Sequence, residues 1–446
     1  MSKPSHVALV VALVALAGGP AGAQTRGSDK NLLPTVDRWT LDNGLEIAYV
    51  GVHEAPVVSV QVWYRAGSKD DPRDRRGLAR MFQYLLFDGS RHVRPGAHQR
   101  IVSMVGGYAT AQAIEDATAT QNVAPNQYFD LMMRLEADRM RGLEWTKSGV
   151  EAARSQALVD LQRAMADPFK RAVAPFLALA YRKHPYAWEA FGVADEVRKV
   201  TMDQLKAFYD RYYVPSNALL VVVGDVDKAT VDKSAKAYFG GLAKTPVPEH
   251  PAAKQVEPQP TKARRKQIDS GQVGLVLRGY PIPEATHKDI YALQVLSIVL
   301  GSGPGSRLVD TLSKAGLARQ AGATAIVREH PGLFLLYAAF DNGANGDKVE
   351  KSLFDQIKAL AAKPPTAAEL RKARALILAD FSSRIESAEG LAGQVGMSWV
   401  LTGDPTQFTR DIAQLEAVTG ADITHVISTY LTPERSITVV SPPGKR

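Results

Sequence analysis

The feature that most constrains this chain is a helix, a proline turn and a buried strand that occur twice in the same order. The landmarks of the two copies are Val200, Thr201, Pro215 and residues 218–223 in the first, and Val418, Thr419, Pro433 and residues 437–440 in the second. The interval from the Val-Thr pair to the proline is the same in both copies. The sequence therefore predicts an internal duplication.

A proline-rich stretch separates the two copies. Residues 243–262 contain five prolines and few bulky apolar side chains, which is typical of a semi-extended linker. We therefore expect an N-terminal domain at residues 24–242, a linker at residues 243–265 and a C-terminal domain at residues 266–446.

Strand and helix patterns are mixed within the first half. Residues 45–50 and 57–64 are rich in β-branched and aromatic side chains, which predicts strands. Helical spacing of apolar residues occurs at residues 78–87, 127–142, 148–166, 169–182 and 201–212. Because strands and helices do not alternate strictly, we predict an α+β fold that is present twice.

The N-terminal residues have the pattern of an export signal. One lysine precedes an apolar run at residues 7–16, and Ala21 and Ala23 supply the small residues of a cleavage site. We expect a signal peptide at residues 1–23, cleaved after Ala23, and a periplasmic or secreted protein. A membrane anchor is the alternative, but ten apolar residues are too few to span a bilayer.

Composition excludes several functional classes. The chain has no cysteine, so it has no disulfide, no thiolate nucleophile and no cysteine-ligated metal. Its net charge is +8, but the basic residues are scattered and have no aromatic interleaving, so we expect no nucleic-acid partner. No stretch after the N-terminal signal reaches membrane-spanning length.

The helix predicted at residues 78–87 carries the most specific motif. Arg80, Gln83 and Tyr84 share one face of it, because residues three and four apart are neighbours on a helix. With its flanks the segment reads Gly-Leu-Ala-Arg-Met-Phe-Gln-Tyr-Leu-Leu-Phe-Asp-Gly-Ser. It resembles the signature helix of the insulinase/pitrilysin zinc peptidases, whose pattern begins Gly-Leu-Ala-His-x-x-Glu-His. In that family two histidines bind zinc and the glutamate activates water.

The resemblance implies that the zinc site is degenerate. Arg80 and Tyr84 stand at the two histidine positions, Gln83 stands at the glutamate position, and Asp160 replaces the glutamate that is the third ligand. Arginine is a permanent cation that repels zinc, tyrosine is a poor substitute for imidazole, and glutamine cannot act as a base. We therefore expect no zinc, no cofactor and no catalysis. We also predict that Arg80 pairs with Asp160; the alternative is that each side chain points to solvent.

Other family landmarks occur in the expected order. The peptide-cleft strand of the family, Gly-Gly-x-x-Asn-Ala, is matched by Gly106, Gly107, Tyr108, Ala109, Thr110 and Ala111. The similarity covers nearly the whole chain after the signal. It implies two duplicated α/β-roll domains of the metallohydrolase type, packed as half of a clamshell.

A substrate clamp in the second half is also altered. Zinc-lacking subunits of bacterial relatives carry an arginine and a tyrosine there, in Leu-Arg-x-x-x-Gly-Leu-x-Tyr. In this chain the stretch at residues 312–319 is one residue shorter, with Arg319 at the tyrosine position and no arginine in its expected place. We therefore do not expect this stretch to clamp a substrate directly.

Three functions are consistent with the sequence. The first is a pseudopeptidase that acts as a subunit or scaffold beside a zinc-bearing insulinase-family chain or a second copy of itself, with peptides as ligands. The second is a stand-alone periplasmic protein that binds a peptide or a partner. The third is an active zinc metalloendopeptidase with unusual ligands. The nine histidines oppose the third, because no two of them are three or four residues apart.

Overall fold

Residues 33–444 are described by the structure, a computed structural model, except for residues 270, 272, 304 and 342–343. The predicted export signal at residues 1–23 therefore lies outside the described residues. No described helix combines the length and the apolar character that crossing a membrane requires.

The first sheet is built from residues of the first half. Its strands are β1 (Asp37–Thr40), β2 (Glu46–Gly51), β3 (Val57–Tyr64), β4 (Tyr108–Ala113), β5 (Thr118–Pro125) and β6 (Ala218–Gly224). Their order is β1-β2-β6-β3-β5-β4. β2 and β6 are parallel, and the other neighbours are antiparallel. This order places β4 at one edge of the sheet.

The second sheet is built from residues of the second half. Its strands are β7 (Arg264–Gln267), β8 (Gly274–Pro281), β9 (Gln320–Ile326), β10 (Leu333–Phe340) and β11 (Ile437–Ser441). Their order is β7-β11-β8-β10-β9, with β7 and β11 parallel. When β1 is set aside, this order and these directions repeat those of the first sheet. The predicted α+β fold and its internal duplication are confirmed.

Helices cover the sheets in both halves. In the first half they are α1 (Leu78–Leu85), α2 (Ala97–Met104), α3 (Phe129–Arg141), α4 (Lys147–Ala166), α5 (Pro168–Ala180), α6 (Ala194–Val197), α7 (Met202–Tyr212) and α8 (Lys228–Phe239). In the second half they are α9 (Ile290–Gly301), α10 (Gly346–Ala362), α11 (Ala367–Ile385), α12 (Ala388–Thr402), α13 (Phe408–Ala417) and α14 (Gly420–Tyr430). The helices predicted in the first half are all present, with ends that differ by a few residues.

The two copies of the repeated unit begin in the same way. The Thr201 hydroxyl accepts a hydrogen bond from the Gln204 N–H at 3.3 Å, and the Gln204 side chain accepts from the Thr201 N–H at 3.0 Å. Thr419 and Asp422 exchange the same two bonds at 3.3 and 2.8 Å. Each capping box pairs N–H groups that the first helical turn leaves unsatisfied. The Val-Thr landmark of the sequence is therefore the start of α7 and of α14.

Each half supplies a helix to the sheet of the other half. α12 packs on β3 and β6 of the first sheet, where Val395 shares an apolar cluster with Trp63. α5 packs on β8 and β11 of the second sheet, where Phe176 shares a cluster with Leu277. Because both contacts bury apolar surface, the chain from Thr35 onward forms one compact unit.

The stretch predicted as a linker is packed against the first half. Most of it has no regular secondary structure apart from a 3₁₀ turn at Pro251–Lys254. Ala252 is buried, and His250 Nδ1 lies 2.8 Å from Asp70 Oδ1. β7 begins at Arg264, so the last two residues of the predicted linker lie in a strand. The domain boundaries themselves remain predictions.

Candidate functional site

Helix α1 carries the three motif residues, and its start is fixed by Asp71. The Asp71 carboxylate accepts hydrogen bonds from the Gly77 N–H at 2.7 Å and the Ala79 N–H at 2.8 Å, which satisfies donors at the helix start. Gly77 has a φ of 98°, a left-handed conformation that favours glycine. Phe82 is fully buried in the core. With α1 fixed in this way, the helix packs against α4 and β4, and its motif residues lie on that side.

Arg80 and Asp160 form an ion pair across α1 and α4. Arg80 NH2 lies 2.8 Å from Asp160 Oδ2, and the two side chains are 13% and 16% exposed. The Tyr84 hydroxyl donates a hydrogen bond to the same carboxylate oxygen. The predicted pairing of Arg80 with Asp160 is confirmed, and Tyr84 joins it. We call these three residues the charge cluster.

The protonation states of the charge cluster follow from these contacts. Burial opposes ionisation of Asp160, but the hydrogen bonds from Tyr84 and Arg80 outweigh it and hold the pKa of Asp160 below its ordinary value. Burial and the hydrogen bond to Asp160 raise the pKa of Tyr84 to about 12. At neutral pH the cluster therefore contains a carboxylate, a guanidinium and a neutral phenol.

The Arg80 guanidinium is also held by an aromatic ring. Its central carbon lies 4.8 Å from the ring centroid of Phe191, within the range of a cation–π contact. A second guanidinium, that of Arg163, approaches the other oxygen of Asp160 at 3.9 Å but is 75% exposed. Arg80 is thus the dominant cation at Asp160.

Gln83 faces the sheet instead of the charge cluster. Its Oε1 accepts a long hydrogen bond of 3.4 Å from the Ala113 N–H, at the end of β4. A side-chain amide has no group that takes up a proton at neutral pH. Gln83 therefore cannot act as a general base here.

The charge cluster does not fit a zinc ion. A zinc peptidase site needs three neutral or anionic ligands and an open position for water, whereas Arg80 brings a positive charge onto the one carboxylate present. Among the described residues no group of three or more His, Asp or Glu side chains could hold a metal ion. The residues at the four motif positions, Arg80, Gln83, Tyr84 and Asp160, therefore do not form a metal-dependent catalytic site.

The predicted peptide-cleft strand lies at the edge of the first sheet. Gly106 and Gly107 form the turn into β4, and the remaining four residues of the motif lie in β4 itself. A Cβ atom on Gly107 would lie 2.3 Å from the Val123 carbonyl oxygen, so only glycine fits at this close approach. Tyr108 is 43% exposed, and its hydroxyl donates a hydrogen bond to Glu389 at the start of α12.

The outward edge of β4 is partly occupied by two glutamine side chains. Gln99 Nε2 donates to the Ala109 carbonyl at 3.1 Å, and Gln83 accepts from the Ala113 N–H. Alternate residues of an edge strand direct their backbone groups the same way, so Ala111 is the outward residue between these two. Its outward N–H and C=O groups are available to an added strand.

A cavity of about 440 Å³ opens beside this edge. It is lined by Gln83, Tyr84, Phe87, Asp88, Gly96, Gln99, Thr110 and Ala111. The sequence analysis identified four of these as site residues and missed the other four, Phe87, Asp88, Gly96 and Gln99. Asp88 lies only four residues beyond Tyr84, and this proximity to the motif could have indicated that it belongs to the site. Gln99 lies on α2 and has no such signal.

Arg319 does not lie in the charge cluster. It immediately precedes β9 and forms an ion pair with Asp341, just after β10. Its side chain is 67% exposed. The altered clamp position is thus an exposed ion pair within the second half.

A buried ionic joint between the two halves was missed by the sequence analysis. Glu329 Oε2 lies 2.6 Å from Lys69 Nζ, whose side chain is 1% exposed. Arg328 NH1 lies 2.8 Å from Glu115 Oε2. Glu115 belongs to the turn between β4 and β5, so this joint fixes the end of the edge strand. No sequence signal links residues so far apart in the chain.

Two protein-family models match the chain. The model described as Insulinase (Peptidase family M16) matches residues 46–192, and the model described as Peptidase M16 inactive domain matches residues 199–377. Together they span most of the described chain.

Similar proteins cover the chain almost completely. The zinc protease PqqE of Helicobacter pylori is 29% identical over 420 residues, 93% of this chain and 94% of that protein. The mitochondrial-processing peptidase subunit beta of Lentinula edodes is 21% identical over 430 residues, 92% of this chain and 90% of that protein. The crystal structure of a protease from Helicobacter pylori superposes with a TM-score of 0.87 at 28% identity, covering 92% of this chain and 100% of that one.

Proposed function

The chain belongs to the insulinase family of peptidases, peptidase family M16, and from this we propose that it is a non-catalytic member that binds peptides without cutting them. The observation that carries the proposal is the charge cluster, in which Arg80 neutralises Asp160 where the family binds zinc. A site that balances its own charge has no need of a metal cation.

The peptide ligand is supported by the edge of β4. Ala111 offers an N–H and a C=O to an added strand, and the adjoining cavity offers space for a side chain. A pseudopeptidase of this kind would hold an extended peptide and leave the chemistry to another chain.

The partner that we propose is a family chain with an intact His-x-x-Glu-His motif, or a second copy of this chain. One relative, the mitochondrial-processing peptidase subunit beta, is named as a subunit, which supports an assembled state. We further propose that the protein works in the periplasm or outside the cell, as the N-terminal sequence pattern suggests.

Metal content and cleavage together test the proposal. Zinc is measured by mass spectrometry on the purified, chelator-free protein, and cleavage of extended peptides is assayed on the same sample. We expect far less than one zinc per chain and no cleavage. As a positive control, the variant with Arg80→His, Gln83→Glu, Tyr84→His and Asp160→Glu restores the ligand set and should bind about one zinc per chain. Stoichiometric zinc with chelator-sensitive cleavage in the unaltered protein would overturn the proposal.

The assembled state is tested separately. Light scattering during size-exclusion chromatography reports whether the chain forms a dimer with itself. Cleavage that appears only after addition of a family chain with an intact motif would support the subunit role. A stable homodimer that gives no cleavage in such mixtures would instead support a stand-alone binding protein.

A further inference from the structure

Asp88 is an acidic side chain in the cavity beside β4. It follows α1 directly, and its carboxylate is one of the groups that line the cavity. Its hydrogen bond in the described structure comes from the Thr146 hydroxyl, at a distance of 3.5 Å, which is the outer limit for such a bond. No described Lys, Arg or His side chain pairs with it.

The position of this carboxylate is fixed by its neighbour on α4. A Cβ atom on Gly149 would lie 1.6 Å from Asp88 Oδ2, so the carboxylate occupies space that only glycine leaves open. Gly149 is the third residue of α4, whose N-terminal end favours a negative charge. The Asp88 carboxylate thus lies against the first turn of α4, beside the cavity.

The rest of the lining adds acceptors and no positive charge. Gln99 uses its Nε2 to bind the Ala109 carbonyl, and its Oε1 makes no hydrogen bond to the described residues. Gln83 Oε1 accepts only the long bond from Ala113. None of the lining residues is basic, although the whole chain carries a net charge of +8. The cavity therefore offers hydrogen-bond acceptors and a negative charge, although the protein as a whole is basic.

We propose that this cavity binds a basic side chain, arginine in preference to lysine, of a peptide that lies along β4. The inference rests on the proposed peptide-binding function and names the side-chain class that the site selects. A peptide paired with Ala111 directs alternate side chains to the two faces of the sheet, and Thr110 and Ala111 themselves line the cavity. A guanidinium can donate several hydrogen bonds at once, which matches the Asp88 carboxylate and the two glutamine oxygens.

The volume and the electrostatics are consistent with this occupant. About 440 Å³ falls in the range of sites for small ligands, and it accommodates a long side chain with its ordered water. Burial raises the pKa of Asp88 above its ordinary value, so the carboxylate lacks full compensation until a cation arrives. A guanidinium supplies that compensation, whereas an acidic side chain would add a second uncompensated charge.

The test compares peptides that differ only in charge at one position. A fluorescein-labelled, N-acetylated peptide of serine, threonine and valine with a single central arginine is titrated with the full chain and followed by fluorescence anisotropy. The same peptide with citrulline, a neutral isostere of arginine, is the reference. We expect the arginine peptide to bind about tenfold more tightly, and Asp88→Asn to reduce that preference to about one.

Controls separate this inference from the proposed function. Asp42→Asn makes the same change of charge at an exposed turn and should keep the preference for arginine. Circular dichroism confirms that Asp88→Asn is folded. Equal affinity for the arginine and citrulline peptides overturns the inference but leaves peptide binding intact. If no peptide binds, the proposed function fails, and the site is then probed with N-acetyl-arginine amide and N-acetyl-citrulline amide by NMR. Absence of any arginine preference there overturns the inference as well.

Discussion

Asp160 accepts hydrogen bonds from two side chains of α1, so the charge cluster depends on it more than on any other residue. Arg80 and Tyr84 both donate to its Oδ2. Removing the carboxylate leaves a largely buried guanidinium beside a phenol that has lost its acceptor. An unpaired buried charge costs more than the pair itself contributes.

We predict that Asp160→Asn lowers the free energy of unfolding by about 2 kcal/mol. Urea denaturation measures the change. Arg163→Gln is the matched control, because Arg163 approaches the same carboxylate from solvent; its effect should stay below about 0.5 kcal/mol. The double variant Arg80→Met with Asp160→Asn should cost less than the sum of its single changes. Additive effects would show that the pair is not coupled.

At the scale of helices and strands, the contact between the two halves includes two glycines, each packed closely against an aromatic ring of the other half. A Cβ atom on Gly396 of α12 would lie 2.2 Å from the indole of Trp63 on β3. A Cβ atom on Gly279 of β8 would lie 2.4 Å from the ring of Phe176 on α5. β3 and β8 are equivalent strands of the two sheets. Each helix that packs on the sheet of the other half therefore makes a close glycine–aromatic contact with the equivalent strand.

We predict that Gly396→Ala destabilises the protein by about 1–2 kcal/mol. Overpacking against Trp63 costs about 1–3 kcal/mol, and the better helix propensity of alanine returns at most about 1 kcal/mol. Gly393→Ala in the same helix is the control, because no atom apart from its chain neighbours and the backbone of its own helix lies within 4 Å of its Cβ position. This change should stabilise the protein slightly. Thermal unfolding measures the melting temperatures of the two variants, and that of Gly396→Ala should be the lower. An equal shift of the melting temperature in both variants would contradict the proposed close packing of Trp63 against Gly396.

At the scale of the whole molecule, the ionic joint holds the halves together beside two histidines, the buried His184 and the partly buried His330. The rings of His184 and His330 lie 5.1 Å apart, one in each half. Burial and the neighbouring His330 lower the pKa of His184 to about 3, and burial lowers the pKa of His330. The charged groups that face them are Lys69, Asp70, Asp116, Arg328 and Glu329. Two imidazolium charges here would repel each other and the cations of the joint.

We predict that stability falls as the pH drops below about 6.5. Unfolded histidines take up protons near that pH, whereas the folded pair does so only at lower pH, so acid favours the unfolded chain. The loss should reach at most about 1.4 kcal/mol per pH unit for each histidine and continue toward the lower pKa of the folded rings. Urea denaturation between about pH 7.5 and about pH 4.5 measures it. His330→Gln should flatten the dependence, whereas His92→Gln, at a side chain that is 74% exposed, should not. Identical slopes in both variants would exclude the pair as the cause.

Local patterns explain why much of the fold could be predicted. The capping residues Thr201 and Thr419, the prolines that follow them and the strands beyond are set by neighbours in the chain. Arg80 and Asp160 could be paired in advance because a family motif related their positions. Asp88, Gln99 and Lys69 carried no comparable signal, since their roles depend on residues from other elements.

The sequence by itself determined the duplicated α+β fold, the Arg80, Gln83 and Tyr84 motif of α1 and the pairing of Arg80 with Asp160. The fold follows from short-range periodicity and from the repeated order of elements, whereas the motif and the pairing follow from the resemblance to the family's signature helix. Only the tertiary structure decided which helix covers which sheet, how Lys69 meets Glu329, and that Asp88 lines a cavity beside the edge of β4. Those contacts join distant parts of the chain, and packing and desolvation select them only when the whole molecule is folded.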